Sequence, residues 1–436
     1  MKQLALLSTI VFLLSASVSA QEAKTVITTD IDHFWEAYDS IRTTQDSLQQ
    51  LQYIQELYID KGTPGLHAFM KLKDYTAAGY VSLIRRYPAY WNSIRSNTMK
   101  VKELAGEFEP GIREFRKIYP ELKPAAIYFT IGGMRSGGTA QPGMVLIGAE
   151  MVTGNPQTDV SELPANTRKW LQGYYGSDPF KNVVLLNIHE YVHTQQPNYG
   201  YNLLSQSLCE GACDFITELV TGKQIPLPYM DYGRKEETAL KQKFKTDMFG
   251  DSWDTWLYNN GQGAAVADLG YFMGYRICKS YYHKTKNKTQ AVKDIIGLNF
   301  QDSVMIENFL RKSAYFPEGF NKATLLTTLE RQTPVVTKVG TVTGNSLIQA
   351  TDTLLKIDFS RPMSSNGYSI SLSADTTLQY PIKAVKGFSP DGQSILIRVN
   401  LQPGVRYGFI MTDRSFRSAD GYRLKPHEVR FETGVQ

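Results

Sequence analysis

Two histidines and a glutamate near the middle of the chain stand at a spacing typical of metal sites. They are His189, Glu190 and His193, in the run HEYVH. On a helix, side chains four positions apart lie on one face, so both imidazoles can bind one ion. Glu190 lies about 100 degrees further round the helix, where it can take a proton from a water that the ion activates. The pattern therefore predicts a zinc site with Glu190 as the general base of a hydrolysis.

A second pair of acidic residues follows on the next predicted helix. Catalytic zinc usually takes three protein ligands and leaves a fourth position open. Glu210 is the candidate third ligand, and Asp214, one turn later, is placed to accept the ring N–H of a ligating histidine. Ser207 and Glu210 also fit a capping box, in which the carboxylate only serves the start of a helix. Glu218 is more typical of a solvated helix residue.

Two cysteines flank the candidate third ligand and offer a different metal site. Cys209 and Cys213 are also four positions apart, and with His189 and His193 they would form a closed, structural zinc site. Such a site would leave Glu190 without a task. Otherwise these cysteines are small buried residues, or one of them pairs with Cys278.

Two tyrosines are candidates for the group that stabilises the oxyanion of a tetrahedral transition state. They are Tyr271 and Tyr275, in the run GYFMGY. A hydroxyl donor aimed at the developing charge is the usual requirement of such a reaction. Glycines and aromatics four positions apart are equally typical of a contact between two helices.

The motifs together resemble those of known peptidases. HExxH followed by Glu-x-x-x-Asp on the next long helix resembles the gluzincin clan of zinc peptidases. The runs HEYVHTQQ, EGACDF and GYFMGYRI, within residues 128–282, resemble the predicted zinc-dependent proteases related to gliding-motility lipoproteins. The resemblance implies His189, His193 and Glu210 as metal ligands, Glu190 as general base and Asp214 as the residue that orients a histidine.

The same resemblance implies a strand whose edge pairs with extended substrate before the active-site helix. By position, residues 128–132 or 144–148 match that strand. The chain departs from the lipoprotein pattern, because residues 1–20 are predicted to be a signal peptide and the residue directly after them is Gln21, not the cysteine to which a lipid is attached.

The periodicity of apolar residues predicts an α+β chain. Residues 29–122 have helical spacing, and residues 123–330 combine two short strand-like runs with further helices. We therefore expect a mainly helical, zincin-like metallopeptidase domain with a small β-sheet over residues 21–332. After Pro334, alternating apolar residues and turn sequences predict a β-sandwich over residues 334–436.

The last hundred residues also resemble a family of bacterial Ig-like domains, of the SbsA type. The runs that carry this resemblance are FSRPM at 359–363, LQPGVRY at 401–407 and FETG at 431–434. Such a domain is more often a spacer or packing partner than a binding module.

The first twenty residues are typical of a secretory signal peptide. Lys2 precedes an apolar run that is too short for a permanent membrane span, and Val18–Ala20 fits a cleavage site. We expect an exported bacterial protein, periplasmic or at the cell surface, with no transmembrane anchor after cleavage. The net charge of +5 is spread over 436 residues without basic runs, which argues against a nucleic-acid partner.

These observations favour an exported zinc metallopeptidase that acts on a peptide or protein substrate. One alternative is a zinc-binding envelope or motility protein without catalytic activity. The other is an adhesive or glycan-binding module that acts through the Ig-like domain. The sequence favours no particular oligomeric state.

Overall fold

The chain divides into a long helical part and a shorter part made of strands. The computed structural model describes residues 25–251, 253, 255–259, 266–344 and 347–434. The predicted mixture of helices and sheets is confirmed at this level, with helices first and the larger sheets last. The α-helices are α1 (Thr29–Ile41), α2 (Ser47–Ile54), α3 (Pro64–Lys73), α4 (Ala77–Arg86), α5 (Pro88–Leu104), α6 (Phe108–Ile118), α7 (Ala149–Val152), α8 (Ala165–Gly176), α9 (Val183–His193), α10 (Leu203–Thr221), α11 (Pro228–Asp247), α12 (Leu269–Lys284), α13 (Lys288–Ile296), α14 (Ser303–Ser313) and α15 (Lys322–Gln332). The strands are β1 (Val26–Ile27), β2 (Ala126–Thr130), β3 (Gly138–Gln141), β4 (Met144–Gly148), β5 (Val336–Thr341), β6 (Leu354–Phe359), β7 (Ile370–Leu372), β8 (Ile382–Phe388), β9 (Ser394–Val399), β10 (Arg406–Met411) and β11 (His427–Glu432).

The first six helices pack around aromatic side chains. Pro64 and Pro88 stand in the first turns of α3 and α5, where proline lacks only an N–H that a helix leaves unpaired. Phe34 contacts Trp35 and Trp91 at ring-centroid distances of 5.1 Å each, and all three rings are buried. This packing supports the small sheet on which the middle of the chain is built.

The small sheet has the strand order β1-β2-β4-β3. Its first three strands run parallel, and β3 pairs antiparallel with β4 at the edge. The sequence-based assignment of the edge to residues 128–132 or 144–148 is therefore wrong, since β2 and β4 are both paired on two sides. The two edge strands are β1 and β3, and the unpaired side of β3 is the free edge beside α9.

Helix α10 is the most buried of the helices that matter for the site. It begins with a capping box between Asn202 and Ser205, and it ends at Gly222, which has a φ of 69°. Glu210 lies in the interior of this helix, so the alternative that Glu210 is a capping residue is wrong.

Two glycines let α10 and α12 approach each other closely. A Cβ on Gly211 would lie 2.0 Å from the Tyr275 nitrogen, and one on Gly274 would lie 1.6 Å from the Ser207 oxygen. From the sequence, Gly211 is expected to let α10 approach α9, but in the structure it serves the contact with α12.

The strands after residue 334 form two antiparallel sheets, with the orders β5-β6-β9-β8 and β11-β10-β7. Alternate side chains of both sheets, such as Ile357, Ile397 and Phe409, belong to one buried apolar cluster. The predicted alternation of inward and outward residues is found in these strands.

No helix within the described residues is long and apolar enough to cross a membrane. The predicted signal peptide, residues 1–20, lies outside the described residues. The domain limits at 21–332 and 334–436 stay predictions.

Candidate metal centre

Helices α9 and α10 bring the predicted ligand residues together. The Glu210 Oε2 atom lies 3.1 Å from the Nε2 atom of His193 and 3.5 Å from the Nε2 atom of His189. All three side chains are at least nine-tenths buried. Bonds of about 2.0–2.1 Å from zinc to nitrogen or oxygen put the corners of a tetrahedron roughly 3.3 Å apart. The two distances to Glu210 Oε2 fit that spacing.

The other ring nitrogen of each histidine is held by a neighbouring side chain. His189 Nδ1 lies 2.7 Å from Asp214 Oδ1, and His193 Nδ1 lies 2.7 Å from Gln196 Oε1. Tyr229 donates a hydrogen bond to the second oxygen of Asp214 at 3.0 Å. When Nδ1 is the donor, Nε2 is left as the ligating atom of both rings. Asp214 thus occupies the position that its spacing predicts.

The second oxygen of Glu210 is fixed by groups that the sequence analysis missed. The hydroxyl of Tyr258 donates to Glu210 Oε1 at 2.6 Å, and Gln206 Nε2 donates to the same atom at 3.1 Å. Gln196 and Gln206 stand close to the motifs, in TQQ and SQS, where a search for amides near the ligands would have found them. Tyr258 lies in no recognisable motif.

Charge partners set the pKa values within this cluster. Burial would raise the pKa of Glu210, but the two histidines hold it well below its usual range. Burial would lower the pKa of His189, yet its hydrogen bonds to Asp214 and Glu210 raise that pKa to about 10. The carboxylate is therefore ionised at neutral pH, which is the form that binds a cation. A cation must displace a proton from His189, so metal affinity should fall as the pH falls.

A cysteine offers a second set of donor atoms. The structure contains a group of His189, His193 and Cys213 that could hold a metal ion. The Cys213 Sγ atom lies 3.3 Å from His193 Nδ1, on the opposite side of the ring from the nitrogen that faces Glu210. An ion bound by both Nε2 atoms therefore lies away from this sulfur. Cys209, Cys213 and Cys278 are free and buried, so the pairing with Cys278 is absent.

A cleft of about 250 Å³ opens beside His189. Glu190 and Tyr271 line it together with His189, and the Tyr271 ring stacks on the His189 ring at 6.1 Å between centroids. Gly137, just before β3, and Gly138, the first residue of β3, also line the cleft. The cleft thus joins the predicted base to the free edge of the sheet.

The second candidate tyrosine lies elsewhere. The Tyr275 hydroxyl bonds to Glu218 and accepts hydrogen bonds from Lys279 Nζ at 2.7 Å and Gln224 Nε2 at 2.6 Å. Glu218 also pairs with Lys279 at 2.9 Å. Because Tyr275 is one helical turn beyond Tyr271 and its hydroxyl is fully engaged, the structure does not support it as an oxyanion donor. Glu218 is likewise not near the histidines.

The outer edge of β3 borders the same region. Gly148 donates its N–H to the Gly137 oxygen at 3.0 Å, so these two residues form a hydrogen-bonded pair between β4 and β3. In an antiparallel pair of strands, the backbone groups of successive residues point alternately towards the partner strand and away from it. The N–H and C=O groups of Gly138 and Ala140 therefore face away from β4. The Tyr199 hydroxyl donates to the Ala140 oxygen at 3.2 Å, while its ring lies 6.1 Å from that of His193.

No protein-family model and no curated protein matches the chain. Among solved structures, the S-layer protein rSbsC(31-844) is 13% identical, with a TM-score of 0.19 over 93% of this chain and 45% of that one. Domains 1-6 of the surface layer protein SbsC are 12% identical, with a TM-score of 0.19 over 93% of this chain and 45% of that one. The N-terminal part of the S-layer protein SbsC is 13% identical, with a TM-score of 0.18 over 93% of this chain and 77% of that one. The chain thus spans less than half the length of the first two. TM-scores this low carry no argument about fold or function.

Proposed function

We propose that the chain is an exported zinc-dependent peptidase that hydrolyses peptide bonds. The observation that carries the proposal is the approach of Glu210 Oε2 to the Nε2 atoms of both His189 and His193, at 3.5 and 3.1 Å. Two imidazole nitrogens and one carboxylate oxygen suit a catalytic zinc site, which takes three protein ligands and keeps a fourth position open. A bound zinc ion supplies an acidified water and polarises the carbonyl of the scissile bond.

Glu190 is the general base in this proposal. It is half-buried on α9 next to the ligand His189, and it lines the cleft. It takes the proton of the attacking water and passes it to the leaving amine. The Tyr271 hydroxyl, on the ring that stacks against His189, is the donor for the developing oxyanion. Burial and Glu210 raise the pKa of Tyr271, so its hydroxyl keeps its proton at neutral pH.

An extended peptide is the substrate in this proposal. The outer edge of β3 presents the N–H groups of Gly138 and Ala140 beside the cleft, and a peptide can add to such an edge as a further strand. The carbonyl oxygens of these two residues already accept hydrogen bonds from Ser136 and Tyr199, and each keeps a second lone pair for a peptide N–H. In this proposal residues 138–141, and not residues 128–132 or 144–148, pair with the substrate. The finer fold assignments belong to the same proposal, namely a zincin-like metallopeptidase domain over 21–332 and an Ig-like domain over 334–436.

The test compares wild type with Glu190→Gln, using zinc analysis and an unbiased peptide library. Glutamine has nearly the same shape but cannot accept the proton, so we expect zinc to stay bound and turnover to fall by roughly 10²–10⁴-fold. Glu218→Gln is the matched control, because Glu218 lies outside the cluster and pairs with Lys279. Unchanged turnover in Glu190→Gln would remove the base. A wild type that binds zinc and cleaves nothing would favour the non-catalytic envelope protein instead.

A further inference from the structure

The side chain that fixes the outer oxygen of Glu210 comes from the segment between α11 and α12. The Tyr258 hydroxyl donates to Glu210 Oε1 at 2.6 Å and accepts a hydrogen bond from Gln206 Nε2 at 2.7 Å. The other oxygen of this carboxylate, Oε2, is the one that lies near the Nε2 atoms of both histidines. Tyr258 therefore contacts the carboxylate from the rear and sets the direction of the oxygen that faces the imidazoles.

The backbone at Tyr258 has an uncommon conformation that its neighbours hold in place. Its φ is 56°, in the left-handed region that residues other than glycine rarely adopt. Its N–H donates to Asp268 Oδ1 at 2.6 Å, just before α12 begins. Two residues earlier, the Trp256 carbonyl accepts a hydrogen bond from the Gly270 N–H at 2.8 Å. A residue with such a conformation keeps it only where the surroundings determine it.

The C-terminal sheets supply part of those surroundings. The turn 420–422 between β10 and β11 packs against this segment, and a Cβ on Gly421 would lie 2.2 Å from Thr255 Cγ2. The Tyr422 hydroxyl donates to Asp247 Oδ1 at 2.8 Å, and the Trp256 indole N–H donates to Asp247 Oδ2 at 2.9 Å. Asp247 and Trp256 are both buried. One carboxylate thus connects the turn of the C-terminal sheets to the segment that carries Tyr258.

We propose that Tyr258 is a positioning residue for Glu210, and that the turn 420–422 of the C-terminal sheets holds Tyr258 in place. The inference rests on the proposed metal site and extends it. The C-terminal sheets are then a structural component of the metal centre, and not only a spacer. The connection runs from Tyr422 through Asp247 and Trp256 to Tyr258 and ends at Glu210.

The test measures zinc affinity of the full-length protein by competition with a chelator, together with the visible absorption of the cobalt-substituted protein. Tyr258→Phe keeps the ring and loses one hydrogen bond to a ligand, a change that typically weakens metal binding about 10–100-fold. The cobalt spectrum should shift, because the direction of the carboxylate changes. The midpoint of thermal unfolding without metal should stay within a few degrees of wild type, which separates positioning from general stability.

Tyr422→Phe probes the connection from the other end. It touches no ligand, and mutations of this kind change coupled binding by roughly 2- to 30-fold. Trp256→Phe removes the other bond to Asp247 and should act in the same direction. Tyr368→Phe is the control, because Tyr368 is an exposed tyrosine of the same sheets. It should leave zinc affinity and the cobalt spectrum unchanged.

The outcomes distinguish the positioning role of Tyr258 from its link to the C-terminal sheets. Wild-type affinity and spectrum in Tyr258→Phe would overturn the positioning role while leaving the metal site intact. A weakened Tyr258→Phe with unaffected Tyr422→Phe and Trp256→Phe would overturn the link to the C-terminal sheets. A wild type that binds neither zinc nor cobalt would overturn the proposed function itself, and this inference with it.

Discussion

Glu150 and Glu210 are buried carboxylates in two different regions of the molecule, and their neighbours satisfy them in opposite ways. Glu150, on the short helix α7, is fully buried and accepts hydrogen bonds from the backbone N–H groups of Gly132 and Met134, at 2.8 and 3.1 Å. Glu210, on α10, is 5% exposed and faces the imidazoles of His189 and His193. Burial raises the pKa of Glu150 to about 7, whereas the histidines lower the pKa of Glu210 well below its usual range.

The difference separates a structural carboxylate from one that can bind a cation. Backbone amides shape a loop around Glu150, and that loop leads to β3 at the edge of the sheet. Glu210 instead stands beside two imidazoles that are candidate metal ligands, and a further side chain orients each imidazole. Glu210 therefore stays an anion at neutral pH, whereas Glu150 is partly protonated there.

The largest expected effect comes from removing the charge of Glu210. A zinc site with four ligands contributes roughly 10–16 kcal/mol, so the loss of one ligand should weaken zinc binding about 10²–10³-fold. Glu210→Gln keeps the shape of the side chain, and its zinc affinity can be measured by chelator competition. Glu218→Gln, on the same helix, should bind zinc as wild type does. Equal affinities for wild type and Glu210→Gln would show that the two buried carboxylates do not differ in the way described.

The second prediction concerns the pH dependence of stability at Glu150. Its pKa is about 7 in the folded state against 4.5 for an ordinary glutamate, so the folded state keeps a proton that the unfolded state releases. The stabilisation is complete below pH 4.5 and is lost as the pH rises to 7, by up to about 3 kcal/mol.

The measurement is the free energy of unfolding of wild type and Glu150→Gln between pH 4.5 and 8. Glutamine does not titrate, so stability should fall less with pH in the variant. All other titrating groups are common to both proteins and cancel in the difference. Parallel curves would mean that folding does not raise the pKa of Glu150.

The third and smallest prediction concerns Asp214, which contacts the candidate ligand His189 through its Nδ1 atom. Asp214→Asn retains an oxygen that can accept from His189 Nδ1 but loses the charge, so zinc affinity should fall about 10–100-fold. Tyr229→Phe removes only the hydrogen bond that Tyr229 donates to Asp214, so its zinc affinity should fall by less than that of Asp214→Asn. A larger loss in Tyr229→Phe than in Asp214→Asn would contradict this order of influence.

The sequence predicts the helices of the site well, because their signals are local. The spacing of His189 and His193 and that of Glu210 and Asp214 predict that each pair lies on one helix face, and α9 and α10 contain these pairs. Helix boundaries are less well predicted. The apolar pattern around the HExxH motif predicts a helix over residues 178–196, whereas α9 begins at Val183, after a short 3-10 turn, and ends at His193.

Features that depend on distant residues are not visible in the sequence. The free edge of the sheet lies on β3, because strand order is set by packing and not by the composition of each strand. Gly211 serves α12 and not α9, since its neighbour is chosen by the tertiary fold. Tyr258 reaches Glu210 from a segment without any motif, and only the contact between the two residues identifies it.

The most direct test of the central claim is X-ray absorption spectroscopy of the zinc-loaded protein at the zinc edge. If His189, His193 and Glu210 hold the ion, the spectrum contains nitrogen and oxygen neighbours at about 2.0–2.1 Å, with the multiple scattering of two imidazoles and no sulfur. A sulfur neighbour at about 2.3 Å would place Cys213 or Cys209 on the ion and contradict the assignment of Glu210 as the third ligand.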